Sequence, residues 1–192
     1  MKLKLVIAGN CEKHDYILTI AALLRSTGVN SIVIVTDSDK QYKYFDGEID
    51  GIGIMSFNGE HPEADYVIYD WHQGYPPNLD KFEAVFVTSY DRDSLENLKI
   101  LYGQIINPKL MVVVEEECKI NLQYVRKLYP MKDILVSYFA SSERKINTIH
   151  DCKVQLKVDK DFEDAVNELL ETVCNIQRTD IKKLWRYVKK RG

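Results

Sequence analysis

Continuous apolar runs alternate along the chain with segments of helical periodicity. The clearest runs are rich in Val, Ile, Leu and Phe and occupy residues 3–8, 32–36, 66–69, 84–88, 110–114 and 134–136. Weaker strand candidates lie at 51–57 and 154–158. Strands that are apolar throughout, with no polar alternation, are typical of a parallel sheet that is covered on both faces.

Helices are predicted between these strands. Residues 16–24 carry a buried-face pattern that Gly28 closes, and further helices are predicted at 91–103, 120–129, 161–177 and 179–190. The order predicts an α/β, doubly wound fold with a mostly parallel central sheet and helices on both faces. We expect one domain over residues 1–177, followed by a basic amphipathic helix over 178–192.

Composition agrees with a globular protein. Of 192 residues, 45% are hydrophobic and 29% are charged, which excludes a mainly disordered chain. No apolar run reaches the roughly 18 residues of a membrane span, and the N-terminus does not read as a signal peptide. The four cysteines are far apart and form no C-x-x-C motif, so we interpret them as reduced thiols of a cytoplasmic protein.

Charge is unevenly distributed. Residues 178–192 hold seven basic side chains and one acid, a net +6, so the chain's net −3 leaves −9 on the preceding 177 residues. An acidic body repels nucleic acid and anionic lipid, whereas a basic segment attracts both. Any contact with a polyanion is therefore expected through the C-terminal segment.

Candidate chemistry lies where the first long strands end. Ligands of doubly wound sheets bind beyond the carboxyl ends of the strands, at the point where strand order reverses. The segments to consider are therefore residues 9–15, 37–39 and 70–74.

These segments resemble the MinD/ParA family of P-loop ATPases over roughly residues 3–140. The resemblance rests on the N-terminal strand–loop–helix, on Asp37-Ser38-Asp39 after the second strand, and on the stretch from Asp65 through Asp70 to Gly74. It continues through the strand at 84–88 and the helix that begins at 91. The resemblance implies that Asp70 is the Walker B acid near magnesium and that Gly74 belongs to the switch loop.

The phosphate-binding loop departs from that family. A P-loop reads G-x-x-x-x-G-K-[ST], in which backbone N–H groups and the Lys hold phosphate and the hydroxyl holds magnesium. When the motif is aligned on Gly9, its second Gly, its Lys and its Ser/Thr fall on His14, Asp15 and Tyr16, in that order. The family's extra signature Lys is replaced by Asn10. A carboxylate in place of the ammonium repels phosphate. The segment between Asp39 and Asp70 also leaves little room for the usual helix.

The resemblance with this departure implies a fold that has lost ordinary ATP hydrolysis. No cofactor is expected, with magnesium–ATP kept as the alternative, because Lys13 and the helix N-terminus still offer positive charge. The weak candidates for nucleotide contact are Gly9, Lys13, Asp37, Asp39, Asp70 and Gly74.

The same edge carries residues that are typical of two further kinds of chemistry, metal binding and catalysis by a thiol. Several carboxylates and imidazoles at this edge suit a divalent metal that activates water. They are Asp37, Asp70 and His72, with Glu12, His14, Asp15 and Asp39 nearby. The plainer interpretation is helix capping and turn formation. Cys11 at a helix N-terminus is a poor nucleophile candidate because Glu12 and Asp15 oppose a thiolate.

Two surfaces suit binding. The stiff aromatic loop that holds Trp71 and Tyr75 is a candidate protein interface, the alternative being that these rings cover the sheet edge. Glu115, Glu116 and Glu117 are interpreted as a solvated turn.

The C-terminal helix is the second surface. Ile181, Leu184, Trp185 and Val188 share one helical face, and basic residues occupy the rest. It is similar in kind to the membrane-targeting helix of MinD-like proteins, so one expectation is a peripheral contact with an anionic membrane. Contact with DNA is a weaker expectation. The alternative is that the helix packs on the domain. The residues concerned are Lys182, Lys183, Trp185, Arg186, Lys189 and Lys190.

The sequence therefore favours a non-catalytic MinD/ParA-like pseudo-ATPase. It would act as a protein-interaction or positioning module through a protein partner or a second copy of itself, with surface binding through its C-terminal helix as an option. The alternative is a divergent nucleotide- or metal-dependent phosphohydrolase that uses Asp37, Asp39 and Asp70.

Overall fold

The computed structural model describes residues 3–104, 108–129 and 134–190. Eight strands in these residues form one sheet in the order β3-β4-β2-β5-β1-β6-β7-β8, and only the pair β3–β4 is antiparallel. The strands are β1 Leu3–Ala8, β2 Ile32–Thr36, β3 Glu48–Ile49, β4 Ile52–Ser56, β5 Tyr66–Trp71, β6 Glu83–Ser89, β7 Leu110–Glu115 and β8 Ile134–Phe139.

Helices cover both faces of the sheet. On one face, α1, α5 and α6 bury Tyr16, Phe162 and Trp185 in the larger apolar core. On the other face, α2 and α3 bury Leu98, Leu101 and Val125. The helices are α1 His14–Arg25, α2 Arg92–Gln104, α3 Leu122–Leu128, α4 Ser142–Asp151, α5 Lys160–Thr172 and α6 Arg178–Lys189. The predicted fold class, an α/β domain with a mostly parallel sheet between helices, is confirmed.

Three local elements differ from the expectation. The strand predicted at 154–158 is wrong, because the segment has no regular secondary structure and pairs with no strand of the described sheet. Helix α4 was not predicted, because apolar residues are sparse in it. The hydroxyl of Ser141 caps this helix by accepting the backbone N–H of Arg144, and Arg144 and Thr148 are buried one turn apart. Strand β3 was also missed, since it is only two residues long, whereas its partner β4 lies within the strand predicted at 51–57.

The C-terminal helix packs on the domain. The apolar face of α6 buries Ile181, Trp185 and Val188, and the indole N–H of Trp185 donates to Asn167 Oδ1 at 2.7 Å. Residues 191 and 192 of the predicted tail lie outside the described residues. In the described ranges, no helix has both the length and the hydrophobicity that a membrane crossing would need.

Candidate functional site

The candidate site lies at the carboxyl ends of β1, β2 and β5. Asp70 of β5 is in register with Ile7 of β1 and with Thr36 of β2, so the loops after these strands meet at one edge. They enclose a cavity of about 520 Å³. Its lining is mostly polar and comprises Asn10, Cys11, Glu12, Asp37, Ser38, Lys40, Gln41, His72, Gln73 and Asp91.

A fully buried ion pair lies beneath this cavity. Lys13 Nζ is 2.7 Å from Asp70 Oδ1, and neither side chain is exposed to solvent. The second carboxylate oxygen of Asp70 accepts the Tyr42 hydroxyl at 2.8 Å. Burial is the main cause that raises the pKa of Tyr42 far above its ordinary value, followed by the charge of Asp70. Tyr42 therefore remains a neutral donor to the carboxylate.

The loop after β1 encloses its own cation. The ammonium of Lys13 donates to the carbonyl oxygen of Gly9 at 2.7 Å. A backbone acceptor of the loop therefore faces the loop centre. A phosphate-binding loop presents N–H donors there. Gly9 is required by packing, since a Cβ at this position would overlap the carbonyl oxygen of Val87 in β6. The loop thus approaches β6 closely enough to require glycine, and it binds positive charge.

The N-terminus of α1 also holds a charged group of the protein. Asp15, in the first turn, accepts the N–H of Tyr16 at 2.9 Å and the Nε–H of Arg144 at 2.8 Å. The carboxylate and the guanidinium are 1% and 5% exposed. The guanidinium also lies 3.7 Å from the ring centre of Phe162. A carboxylate therefore takes the place that the helix dipole offers to an anion.

His14 is buried beside these pairs. It is 2% exposed, and neither ring nitrogen has a hydrogen-bond partner among the described residues. Burial is the dominant cause that lowers the pKa of His14 below its ordinary value of 6.5, against the raising influence of Asp15 and Asp70. The imidazole is therefore neutral at neutral pH.

Asp37 and His72 form a half-buried pair on the cavity wall. His72 Nδ1 lies 2.8 Å from Asp37 Oδ1, and the carboxylate also accepts the backbone N–H groups of His72 and Gln73. Burial acts to raise the pKa of Asp37, but these hydrogen bonds outweigh it and leave the pKa below its ordinary value. The carboxylate fixes the loop after β5 and orients the imidazole.

The other residues of the loop do not supply a nucleophile or an unpaired acid. Burial raises the pKa of the Cys11 thiol to about 12, so it stays protonated at neutral pH. Glu12 lies 2.8 Å from Lys145 of α4, and this contact holds the pKa of Glu12 below its ordinary value. Both residues line the cavity without reactive character.

The metal hypothesis gains no geometric support. Among the described residues, no group of three or more His, Cys, Asp or Glu side chains is placed to hold an ion. Asp70 faces Lys13, whereas Asp37 faces His72. The side chain of Asp39 lies outside the described residues.

The aromatic loop mainly covers the sheet edge. Trp71 is 5% exposed, and its indole N–H donates to Gln73 O at 3.1 Å. Tyr75 is half-buried beside Phe82 and Phe86. Gly74 turns the chain between them with φ +71°, a value that favours glycine. On β7, Glu115 accepts the Tyr90 hydroxyl at 2.8 Å, while Glu116 and Glu117 are exposed.

The basic residues of α6 lie on its outer face. Lys182, Arg186 and Lys190 are exposed, whereas Lys183 pairs with Asp180 and Lys189 with Glu163 at 2.6 and 2.9 Å. Trp185 is buried with the opposite face.

Two members of the site were missed from the sequence. Tyr42 lies in a polar segment with no apolar period, and Arg144 is 129 positions from Asp15. The buried acids Asp15 and Asp70 were the only signal that buried cationic or hydroxyl partners must exist.

Comparison with protein-family models and with curated proteins found no match to this chain.

The Lys13–Asp70 pair generates a stability prediction. Lys13→Met keeps the length of the side chain but leaves the Asp70 carboxylate buried without its cation, so the free energy of unfolding should fall by about 3–5 kcal/mol in urea titrations. The double variant Lys13→Met/Asp70→Leu should recover most of this loss. Lys40→Met, at an exposed position of the same cavity, is the matched control. If Lys13→Met and Lys40→Met lowered the free energy of unfolding equally, the pairing would be contradicted.

His14 generates a pH prediction. Its pKa in the folded state is below 6.5, so the unfolded chain binds more protons as pH falls below 6.5 and stability should decline. The pKa values of Glu12 and Asp37 are lowered in the folded state, so these carboxylates change the stability only near or below their ordinary pKa values of 4.5 and 3.8. Unfolding midpoints measured from pH 7 to 5 should drop for the wild type but less for His14→Gln. Replacement of exposed His150 by Gln should leave the decline intact; a decline that is identical in all three proteins would refute the assignment.

Proposed function

We propose that this chain is a non-catalytic, MinD/ParA-like pseudo-ATPase that acts by binding other proteins. The observation that carries the proposal is the buried ion pair of Lys13 and Asp70 inside the loop after β1. In the implied family, this loop would hold phosphate and this aspartate would lie near magnesium. Here each satisfies the charge of the other.

The topology supports the resemblance. The strand before the altered loop, β1, lies between β5, which ends near Asp70, and β6. The resemblance requires this adjacency, because its Walker B acid must reach the phosphate loop. No helix occupies the described segment from Lys43 to Asp65, in keeping with the shortened spacing.

Loss of nucleotide binding follows from charge. A phosphate entering the loop would have to displace Lys13 from Gly9 O and Asp70, and would approach the carboxylates of Asp15 and Asp70. Burying anions beside a carboxylate without additional cations is strongly unfavourable. The same argument weighs against the phosphohydrolase alternative, which needs Asp70 available for a metal.

A protein partner is favoured by an apolar stripe that the sequence did not reveal. Tyr124 and Leu128 lie one turn apart on α3 and are 46% and 45% exposed, and Ile120, just before this helix, is 37% exposed. Contiguous exposed apolar side chains are typical of interaction sites. A partner protein or a second copy of the chain would cover this stripe.

The outer face of α6 remains available to an anionic surface. Lys182, Arg186 and Lys190 project from it, but Trp185 does not. Contact with membrane or DNA through this helix would therefore be electrostatic, and insertion of Trp185 into lipid would require α6 to leave the core.

Nucleotide titration during thermal unfolding tests the proposal. A ligand at about 100 times its Kd adds about 2.7 kcal/mol of stability, which would raise the midpoint by roughly 5–11 °C in a chain of this size. We expect no shift with millimolar magnesium–ATP, ADP or GTP relative to magnesium alone. A shift that depends on magnesium and nucleotide together would overturn the pseudo-ATPase proposal in favour of the enzyme alternative.

A further inference from the structure

Strand β8 forms an open edge of the sheet. It pairs with β7 on one side, and within the described residues no strand lies on its other side. Residues 134–139 form a regular strand in register with β7, and they include no charged residue and no proline. Sheet edges are usually protected by charges, by proline or by very short strands, as the opposite edge is by the two-residue β3. The edge at β8 lacks these protections and is therefore suited to pairing with another strand.

The hydrogen bonds at the end of β8 show which of its backbone groups face this open edge. The N–H of Ala140 donates to a carbonyl oxygen of β7 at 2.9 Å, whereas the N–H of Phe139 points away from β7 and donates to Asp161 Oδ2 at 2.7 Å. Backbone groups of successive residues alternate between the two sides of a strand. The N–H and C=O groups of Leu135 and Ser137 therefore face the open edge, and these two N–H groups donate to no described residue.

A groove lies beside the open edge. It is a cavity of about 660 Å³ between β8, α5 and α6. Three of the charged side chains that line it already have partners, because Arg178 lies 3.7 Å from Glu168 and Asp161 accepts an N–H of β8. Asp164 and Lys182 also line the groove, and both are exposed with no ion-pair partner among the described residues. The groove therefore offers one free acid and one free base.

The free acid and the free base lie toward opposite ends of β8. Helix α5 begins beside the C-terminal end of β8, where Asp161 accepts the last N–H of the strand, and it then packs along β8. The last turns of α5 lie beside the start of α6, because Arg178 also pairs with Glu171 at 2.8 Å. Asp164, near the start of α5, is thus closer to the C-terminal end of β8, and Lys182, near the start of α6, is closer to its N-terminal end.

We propose that β8 pairs antiparallel with β8 of a second copy of this chain, so that the two sheets become one. A two-fold axis at Val136 places Leu135 opposite Ser137 of the other copy, and these two residues exchange both N–H···O bonds. The axis repeats the same pair on its other side. An axis at Ser137 would instead require the N–H of Phe139, which Asp161 already accepts.

A second copy fits this edge because the groove is complementary to itself. The two-fold axis reverses the direction of β8, so Asp164 of each copy lies on the same side of the interface as Lys182 of the other copy. Opposite charges across paired strands stabilise the pairing, whereas like charges destabilise it. Strand β8 itself carries no charge that would repel its copy. A strand of another protein would have to supply both charges in the same arrangement.

This proposal rests on the protein-binding part of the proposed function and not on the loss of nucleotide binding. The groove shares no lining residue with the cavity at the carboxyl ends of β1, β2 and β5. Nucleotide binding at that cavity would therefore leave the pairing of β8 intact, and a monomeric chain would leave the pseudo-ATPase proposal intact.

Sedimentation equilibrium and amide hydrogen exchange on the full chain test the proposal together. Between about 1 and 500 µM protein, the average mass should rise from the monomer value of 22.3 kDa toward twice that value. Over the same range, exchange of the Leu135 and Ser137 amides should slow by at least about tenfold. The amides of Val136 and Tyr138, which face β7, should exchange slowly at every concentration.

Three kinds of variant separate this pairing from unspecific association. Ser137→Pro removes an N–H that no described group of the same chain accepts, so the far-UV circular dichroism should be unchanged while the dimer Kd rises at least about tenfold. Asp164→Lys and Lys182→Glu should each raise the Kd by about three- to tenfold, and the double variant that exchanges the charges should restore it. Arg186→Glu, on the same helix but outside the groove, is the matched control and should have no effect.

A mass that stays at the monomer value up to about 500 µM would overturn the proposal and would leave the edge to a strand of another protein. Association in which the Leu135 and Ser137 amides still exchange fast would overturn it as well. A double charge variant that associates no better than the single variants would contradict the two-fold arrangement, and this readout remains if Ser137→Pro fails to fold.

Discussion

The buried pair of Lys13 and Asp70 is the constraint around which the sheet edge is arranged. Removing an ammonium and a carboxylate from water costs several kcal/mol each unless every charge finds a partner. Lys13 meets this requirement through Asp70 Oδ1 and Gly9 O, and Asp70 through Tyr42 as well. These contacts join β1, the start of α1, the end of β5 and the segment after β2. The pair therefore fixes the loop that would otherwise be open to a ligand.

A second buried pair extends the same arrangement to the C-terminal half. Asp15 at the start of α1 and Arg144 of α4 connect elements that are 129 positions apart. Phe162 of α5 covers the guanidinium at 3.7 Å from its ring centre. The positive end of α1 and the carboxylate in its first turn are thus neutralised within the protein. A lysine ammonium and a helix N-terminus are the two features that attract phosphate in phosphate-binding loops, and here the protein's own groups occupy both.

The sequence predicted the architecture because apolar runs report directly on burial. Every continuous run, such as residues 32–36 and 110–114, became a strand of the parallel sheet. The segment 154–158 shows the limit of this reasoning, since its apolar residues pack against the core although the segment pairs with no strand of the described sheet. Helix α4 shows another, because its burial rests on Arg144 and Thr148 in place of apolar residues.

The candidate site was only partly predictable. Strand ends placed Gly9, Lys13, Asp37, Asp70 and His72 at one edge, and the structure brings them there. Their pairing could not be derived, because it depends on rotamers and on Tyr42 and Arg144, which no local pattern marks. Its position after β1 makes Lys13 a candidate phosphate contact, whereas the fold directs it to Asp70. The choice between these partners is a three-dimensional property of the loop.

Direct observation of the Lys13 ammonium is the measurement that tests the central claim most closely. In nitrogen-15 NMR spectra that select lysine side chains, an ammonium held by Asp70 and Gly9 O should give a signal protected from rapid proton exchange. That signal, assigned by its loss in Lys13→Met, should keep its chemical shift when magnesium–ATP is added. A shift that saturates with nucleotide, or an ammonium that exchanges as fast as those of exposed lysines, would contradict a loop filled by the protein's own cation.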